Sequence, residues 1–315
     1  MNETQSTLSL CQVALCSNSV SGSLRLFADA FGFSNAGSSG AWGDVLAMQG
    51  LPEETHALIW WMVGSQDFFQ LELFHHGFPE QRPLPDDWRV CDHGWVRFGI
   101  AVADFDRVAA HLALRGVAVL GTSGEAPSRR LAFREPYAGC VIEAIERPGL
   151  EGPAVVYATS SVADLDKARA FYADAVGAEI RPLDELHSPK DESLWGLAGA
   201  EREGFLACLP TGVLEIVRYT SPQGRERRAD HRSSDQGFLN VAIGSRVLDS
   251  VRALIGRVHD FGLPTTNVVD NGMICGTYCI EAGFELEMLS IPSELDAATG
   301  FAPSPVPFVN DIGTP

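Results

Sequence analysis

The chain repeats itself. Phe27-Ala28-Asp29-Ala30, followed by Gly32, returns as Tyr172-Ala173-Asp174-Ala175 followed by Gly177, and Leu71-Glu72-Leu73 returns as Leu214-Glu215-Ile216. Val102-Ala103-Asp104-Phe105-Asp106-Arg107-Val108 is echoed by Ser245-Arg246-Val247-Leu248-Asp249-Ser250-Val251, and Gly139…Ile142-Glu143 by Gly283…Leu286-Glu287. All four pairs lie about 144 residues apart, so the chain is a tandem duplication and any fold assigned to it must contain the same unit twice.

Composition narrows the partners. A net charge of −18 argues against nucleic acid and against an anionic membrane, because binding phosphate needs a basic field. Neither a secretory leader in residues 1–10 nor a membrane-spanning run is expected, since the longest apolar stretch, 57–63, is far too short. The seven cysteines are an odd set without a Cys-x-x-Cys pair, which points to buried thiols in a reducing, cytoplasmic setting. The expected partner is a small molecule, and the chain leaves room for a homodimer.

Periodicity divides each half again. The first half reads as a strand at 11–16, a helix at 21–31 stopped by Gly32, and strands at 42–48, 56–63 and 69–74. The order restarts with a strand at 95–102, a helix at 105–114 and strands near 117–120, 130–133 and 141–145. The second half predicts a strand at 154–159, a helix at 164–176 capped by Asp164, and strands near 194–199, 205–209 and 212–217. Its last quarter predicts a strand at 238–243, a helix at 248–261 and strands near 265–269, 273–280 and 284–289. The fold class is therefore α+β, built from four βαβββ modules. The Pro- and Gly-rich segment 147–153 separates a first domain, 1–148, from a second, 153–292, and 293–315 reads as an extended tail.

This organisation resembles the vicinal oxygen chelate superfamily, which includes glyoxalase I, bleomycin-resistance proteins, methylmalonyl-CoA epimerase and extradiol ring-cleavage dioxygenases. Val155-Val156-Tyr157 with Asp164-Leu165-Asp166-Lys167-Ala168-Arg169-Ala170-Phe171-Tyr172 is similar to the opening strand and helix of such a domain, and Gly283-Phe284-Glu285-Leu286-Glu287 to its last strand. The resemblance covers about residues 8–290. It implies two tandem domains with curved mixed sheets, each a cup into which the first and last strands of two modules point one residue apiece to hold a divalent ion. Carried over onto this chain, the first cup receives Gln12, Glu72, Arg97 and Glu143, and the second Tyr157, Glu215, Asn240 and Glu287.

Neither set contains a histidine. Arg97 cannot ligate a metal, so the first cup is expected to be degenerate: Arg97 and its companions hold the cup together or grip a substrate carboxylate. In the second cup Glu215 and Glu287 would hold a hard ion such as Mg²⁺ or Mn²⁺, or, without one, share a proton at raised pKa. The expected chemistry is proton transfer next to a carbonyl in a small, oxygenated, cyclic molecule, as in an isomerase, epimerase or lyase. Glu215 or Glu287 would be the base and Tyr157 an oxyanion donor. A non-catalytic binder of the resistance type is the rival reading. A divergent ring-cleavage dioxygenase is disfavoured, because that chemistry needs two histidines beside a carboxylate.

Other features carry less. Of His75 and His76 at most one can enter a cup, since adjacent strand residues face opposite ways. Arg225-Glu226-Arg227-Arg228…Arg232 reads as a solvated charge run or a loop over a pocket, and His93 and His187 as candidate proton carriers. Trp42, Trp60, Trp61, Trp95, Phe98, Trp195, Phe205 and Tyr219 lie on or beside strands, and about half should face inward by alternation.

Overall fold

The duplicated helices set the frame. In the computed structural model, which describes residues 8–281 and 283–305, each copy of the aromatic-Ala-Asp-Ala segment ends a helix in one π turn. α1 (Val20–Leu26) continues through Phe27–Phe31 to Gly32 at φ 88°, a left-handed stop that favours glycine.

Strands β1 (Ser9–Cys16), β2 (Ser34–Trp42), β3 (His56–Val63) and β4 (Gln70–Phe78) complete the first module, with the short α2 (Asp44–Ala47) between β2 and β3. The second contains β5 (Gly94–Val102), α3 (Phe105–Leu114), β6 (Val119–Ser123), β7 (Arg130–Arg134) and β8 (Val141–Glu146). The third contains β9 (Ala154–Ser161), α4 (Leu165–Ala170) continuing through the π turn Phe171–Val176, β10 (Glu179–Pro182), β11 (Glu201–Leu209) and β12 (Gly212–Ser221). β13 (Gly237–Ser245), α5 (Leu248–Phe261), β14 (Val269–Asp270), β15 (Cys275–Cys279) and β16 (Leu286–Ser290) form the fourth.

The expected α+β class and the four modules are present, but the modules do not combine in chain order. One eight-stranded sheet runs β14-β15-β16-β13-β1-β4-β3-β2, joining the fourth module to the first. The other runs β10-β11-β12-β9-β5-β8-β7-β6, joining the second to the third. The segment 147–153, expected to separate two domains, instead links β8 to β9 within one sheet. The crossings between sheets are 79–93 and 222–236. Helices follow the opposite rule and pair within each half. Arg107 donates to the carbonyls of Ala28 and Asp29, and Arg257 to that of Ala175. The halves are thereby interlocked, with one apolar core drawing on all four modules, as where Phe238 meets Trp95 and Phe98 at 5.7 and 5.5 Å.

Three local expectations fail. The glycine- and serine-rich stretch before Trp42 is the edge strand β2, and 44–47 is a helical turn. Residues 189–195, whose end overlaps an expected strand, form a 3₁₀ segment capped by Ser188 and Asp191, and the local strand is β10, which went unrecognised. The tail is not extended as far as it is described: α6 (Asp296–Thr299) leads to Phe301, buried against Phe68 at 4.8 Å. Residues 306–315 of the expected tail lie outside the described residues. No described helix is long and apolar enough to cross a membrane, and all seven cysteines are free.

Candidate functional site

Each module ends on a glutamate facing the concave side of its sheet, so cross-half pairing decides which glutamates meet. β1, β4, β13 and β16 bring together Gln12, Glu72, Asn240 and Glu287. The Gln12 amide nitrogen donates to Glu72 Oε2 at 2.7 Å and to Glu287 Oε2 at 2.9 Å, so both carboxylates lie within reach of one atom. Trp61 donates to Glu72 Oε1 at 2.8 Å, and Glu287 Oε2 accepts from the Tyr278 hydroxyl at 3.0 Å and more weakly from Asn240 at 3.4 Å.

No cation pairs with either carboxylate among the described residues. Burial, then the charge of Glu287, raises the Glu72 carboxyl well above its ordinary range against the pull of Trp61. Burial likewise raises Glu287 to about 7, against the hydrogen bonds from Tyr278, Asn240 and Gln12. Two buried carboxyls without a counter-ion share a proton near neutrality. Burial and the neighbouring Glu287 charge also push the Tyr278 phenol well up, so it stays protonated.

Two details bear on what this cup can hold. Asn240 Oδ1 is buried with no hydrogen-bond partner, an exposed cost in a cup otherwise well satisfied. Gln70 donates to Gln12 Oε1 at 2.8 Å; turned over, its nitrogen meets the carbonyls of Gly300 and Thr299 at 2.8 and 3.0 Å and its oxygen faces Gln12. If Gln12 turns with it, Gln12 Oε1 faces the two carboxyls, an arrangement of acceptors that needs a proton or a cation between them. A cavity of about 260 Å³, bordered by Asn240, Tyr278, Gln49, Leu51 and Ser233, opens onto this end of the sheet.

The other cup is full. Arg97 donates to Glu215 Oε2 at 2.6 Å and to the Tyr219 hydroxyl at 2.8 Å, and its guanidinium lies 3.8 Å from the Trp195 ring centre. Tyr157 donates to Glu143 at 2.5 Å, and Arg130 also bonds Glu143. The 183–200 connection folds into the cup: His187 sits 2.8 Å from Glu215 and 3.7 Å from Glu143, while Glu192 pairs with Arg202 and accepts from Tyr219. Burial pushes Glu215 upward, but Arg97 and His187 outweigh it and hold the carboxyl well below its ordinary range. Burial and the Glu143 charge push the Tyr157 phenol well up.

No protein-family model and no curated protein matches the chain. Solved structures do. A glyoxalase I variant from Zea mays superposes on 95% of this chain and 96% of its own, with TM-score 0.60 and 15% identity. Glyoxalase I from Zea mays does so over 94% and 95%, with TM-score 0.59 and 14% identity. The chain has the vicinal oxygen chelate fold.

Within this vicinal oxygen chelate architecture, both expected residue sets are redistributed. Gln12 and Glu72 share a cup with Asn240 and Glu287, whereas Arg97 and Glu143 share one with Tyr157 and Glu215. Glu215 and Glu287, expected as one metal or acid-base pair with Tyr157 beside them, stand in different sheets. Arg97 does not neutralise Glu72; its carboxylate partner is Glu215. Of the two histidines on β4, His76 is buried and His75 exposed, as alternation requires. His76 approaches Gln49 at 3.3 Å, and burial lowers it to about 4, leaving it neutral. Among the strand aromatics, Trp61, Trp195 and Tyr219 reach the cups, while Phe98 and Phe205 pack in the core and Trp42 is exposed. Tyr278, Gln70, Glu192 and Arg202 escaped the sequence reading. Tyr278 is found only through its register opposite Glu287 on β16.

Proposed function

We propose that the chain is an enzyme that moves a proton next to a carbonyl of a small oxygenated molecule, working in the Gln12/Glu72/Asn240/Glu287 cup. The observation that carries this reading is the buried carboxylate pair without a cation, one member of which titrates near 7. A base with that pKa is matched to neutral pH, able both to take a proton from carbon and to return it. Glu287 is the proton carrier through Oε1, since Oε2 already accepts from Gln12, Tyr278 and Asn240, and Tyr278, which stays protonated, turns its hydroxyl from Oε2 to the oxyanion that forms on the substrate. Glu72, raised well above its ordinary range, holds the proton of the pair while Glu287 acts as the base, and the hydrogen bond from Trp61 orients it.

The same four side chains fit a divalent ion. With the Gln12 amide turned over, Gln12, Glu72, Asn240 and Glu287 would offer an all-oxygen donor set suited to Mg²⁺ or Mn²⁺, and Asn240 Oδ1 is a buried acceptor still lacking a partner. When bound, the ion would supply Lewis-acid stabilisation of a substrate oxygen. The other cup, filled by its own ion pairs, is the structural half.

The test is proton exchange between solvent and substrate. The chain incubated in D₂O with a panel of cyclic hydroxyketones and keto acids should introduce deuterium beside the carbonyl, and Glu287→Gln should slow this by roughly 10²–10⁴. Exchange that survives in Glu287→Gln but fails in Glu215→Gln, with both variants folded, would place the chemistry in the other cup.

A further inference from the structure

The Arg225…Arg232 run is largely exposed, as a solvated charge run would be, but its arginines are held in ion pairs and are not free anion receptors. It lines the 222–236 crossing and is zipped to the 79–93 crossing. Arg225 pairs with Asp87 and Asp92 at 2.5 and 2.7 Å, and Arg82 reaches back to Asp230 and Asp235 at 2.7 and 2.6 Å. Arg227 pairs with Glu285 at 2.8 Å, and Arg228 with Asp230 at 3.0 Å. Between the two crossings lies a cavity of about 300 Å³ with an apolar floor of Trp95, Phe238 and Leu84 and a half-buried wall of Trp88.

Two observations say what this space accepts. Each arginine on its rim is already held by a carboxylate, so an anionic ligand would have to break an ion pair or sit against Asp87, Asp92 and Asp235. The ring of His93, which lines the cavity, makes no hydrogen bond among the described residues. Burial lowers this imidazole, which keeps it neutral, with one nitrogen to donate and one to accept. The neighbouring carboxylates Glu226 and Asp92 pull the other way, and Arg227 acts with burial.

We infer that this cavity between the sheet crossings is a second small-molecule site, distinct from the carboxylate cup, that takes a flat, uncharged, ring-bearing molecule hydrogen-bonded to His93. The indoles of Trp88 and Trp95 and the Phe238 ring supply flat apolar walls, and a neutral hydroxyl or amide on the ligand satisfies the imidazole. The site is assembled from both crossings and therefore exists only when the two sheets are in place. It shares Arg227, His231, Ser233 and Leu239 with the cavity that opens onto the cup, so the two spaces adjoin.

Isothermal titration of the full chain with 2-naphthol, 2-naphthoate and cyclohexanol tests this. The expected result is saturable binding of 2-naphthol, with 2-naphthoate and cyclohexanol each weaker by at least roughly tenfold. Trp88→Ala should weaken 2-naphthol by roughly tenfold and Trp88→Phe by no more than about threefold. His93→Phe, which keeps a ring and loses the hydrogen bond, should cost roughly threefold to tenfold. Glu287→Gln should leave this affinity unchanged. No saturable heat up to the solubility limit, equal binding of 2-naphthoate, indifference to both Trp88→Ala and His93→Phe, or loss of binding in Glu287→Gln would each overturn the proposal.

Discussion

At the scale of single residues, two glutamates that each follow a leucine on an apolar strand behave oppositely. Glu215 and Glu287 lie on the last strands of the third and fourth modules, β12 and β16, yet Arg97 and His187 hold one ionised while the other is raised to about 7. The stability consequence has a definite sign. Between pH 4.5 and about 7 the folded chain binds more protons at Glu287 than the unfolded chain does, so stability falls as pH rises across that window, by on the order of 3 kcal/mol for the full shift. Urea unfolding at pH 5 and pH 8 should show the decline, and Glu287→Gln should flatten it, because Glu72 also loses the charge that helps raise it. Arg97→Met is expected to cost about 3–5 kcal/mol, since it leaves Glu215 buried without its nearest cation. Thermal unfolding measures that loss. The resemblance pointed to eight positions, but the sequence could not show which carboxylate would find a guanidinium.

Among the elements, the connection after β10 and the one after β2 decide which cup is open. The first folds as a capped 3₁₀ segment that drives His187, Glu192 and Trp195 into the sheet; the second is the short α2, leaving Asn240 and Tyr278, the partners of Glu287, on the wall of a cavity. The packing is close: a Cβ added at Gly99 on β5 would lie 2.1 Å from the Tyr157 ring. Gly99→Ala should therefore destabilise the chain by about 1–3 kcal/mol, read as a shift of the urea midpoint, without changing Mn²⁺ binding. Helices α3 and α5 were legible to the residue because their apolar spacing and the glycines that follow them, Gly116 and Gly262, are local signals. The 3₁₀ segment was not, because Leu194 and Trp195 are as apolar as any strand and only their burial in the cup explains their presence.

For the whole molecule, the interlocking of halves makes a prediction that a bead-on-string duplication would not. A fragment of residues 1–148 contains half of each sheet and should remain largely unfolded by circular dichroism. A fragment of 90–223 contains all of the β5–β12 sheet and should retain strand structure. Mn²⁺ should raise the melting temperature of the full chain and release protons on binding, and both effects should vanish in Glu72→Gln. The sequence by itself determined the duplication and the α+β modules, because these are written in local periodicity and repeat at a fixed interval. Only the tertiary structure decided which modules share a sheet. That choice depends on long-range strand pairing between β1 and β13 and between β5 and β9, to which short-range pattern is blind, and it turned two expected half-sites into one neutralised cup and one cup left with two carboxylates and no cation.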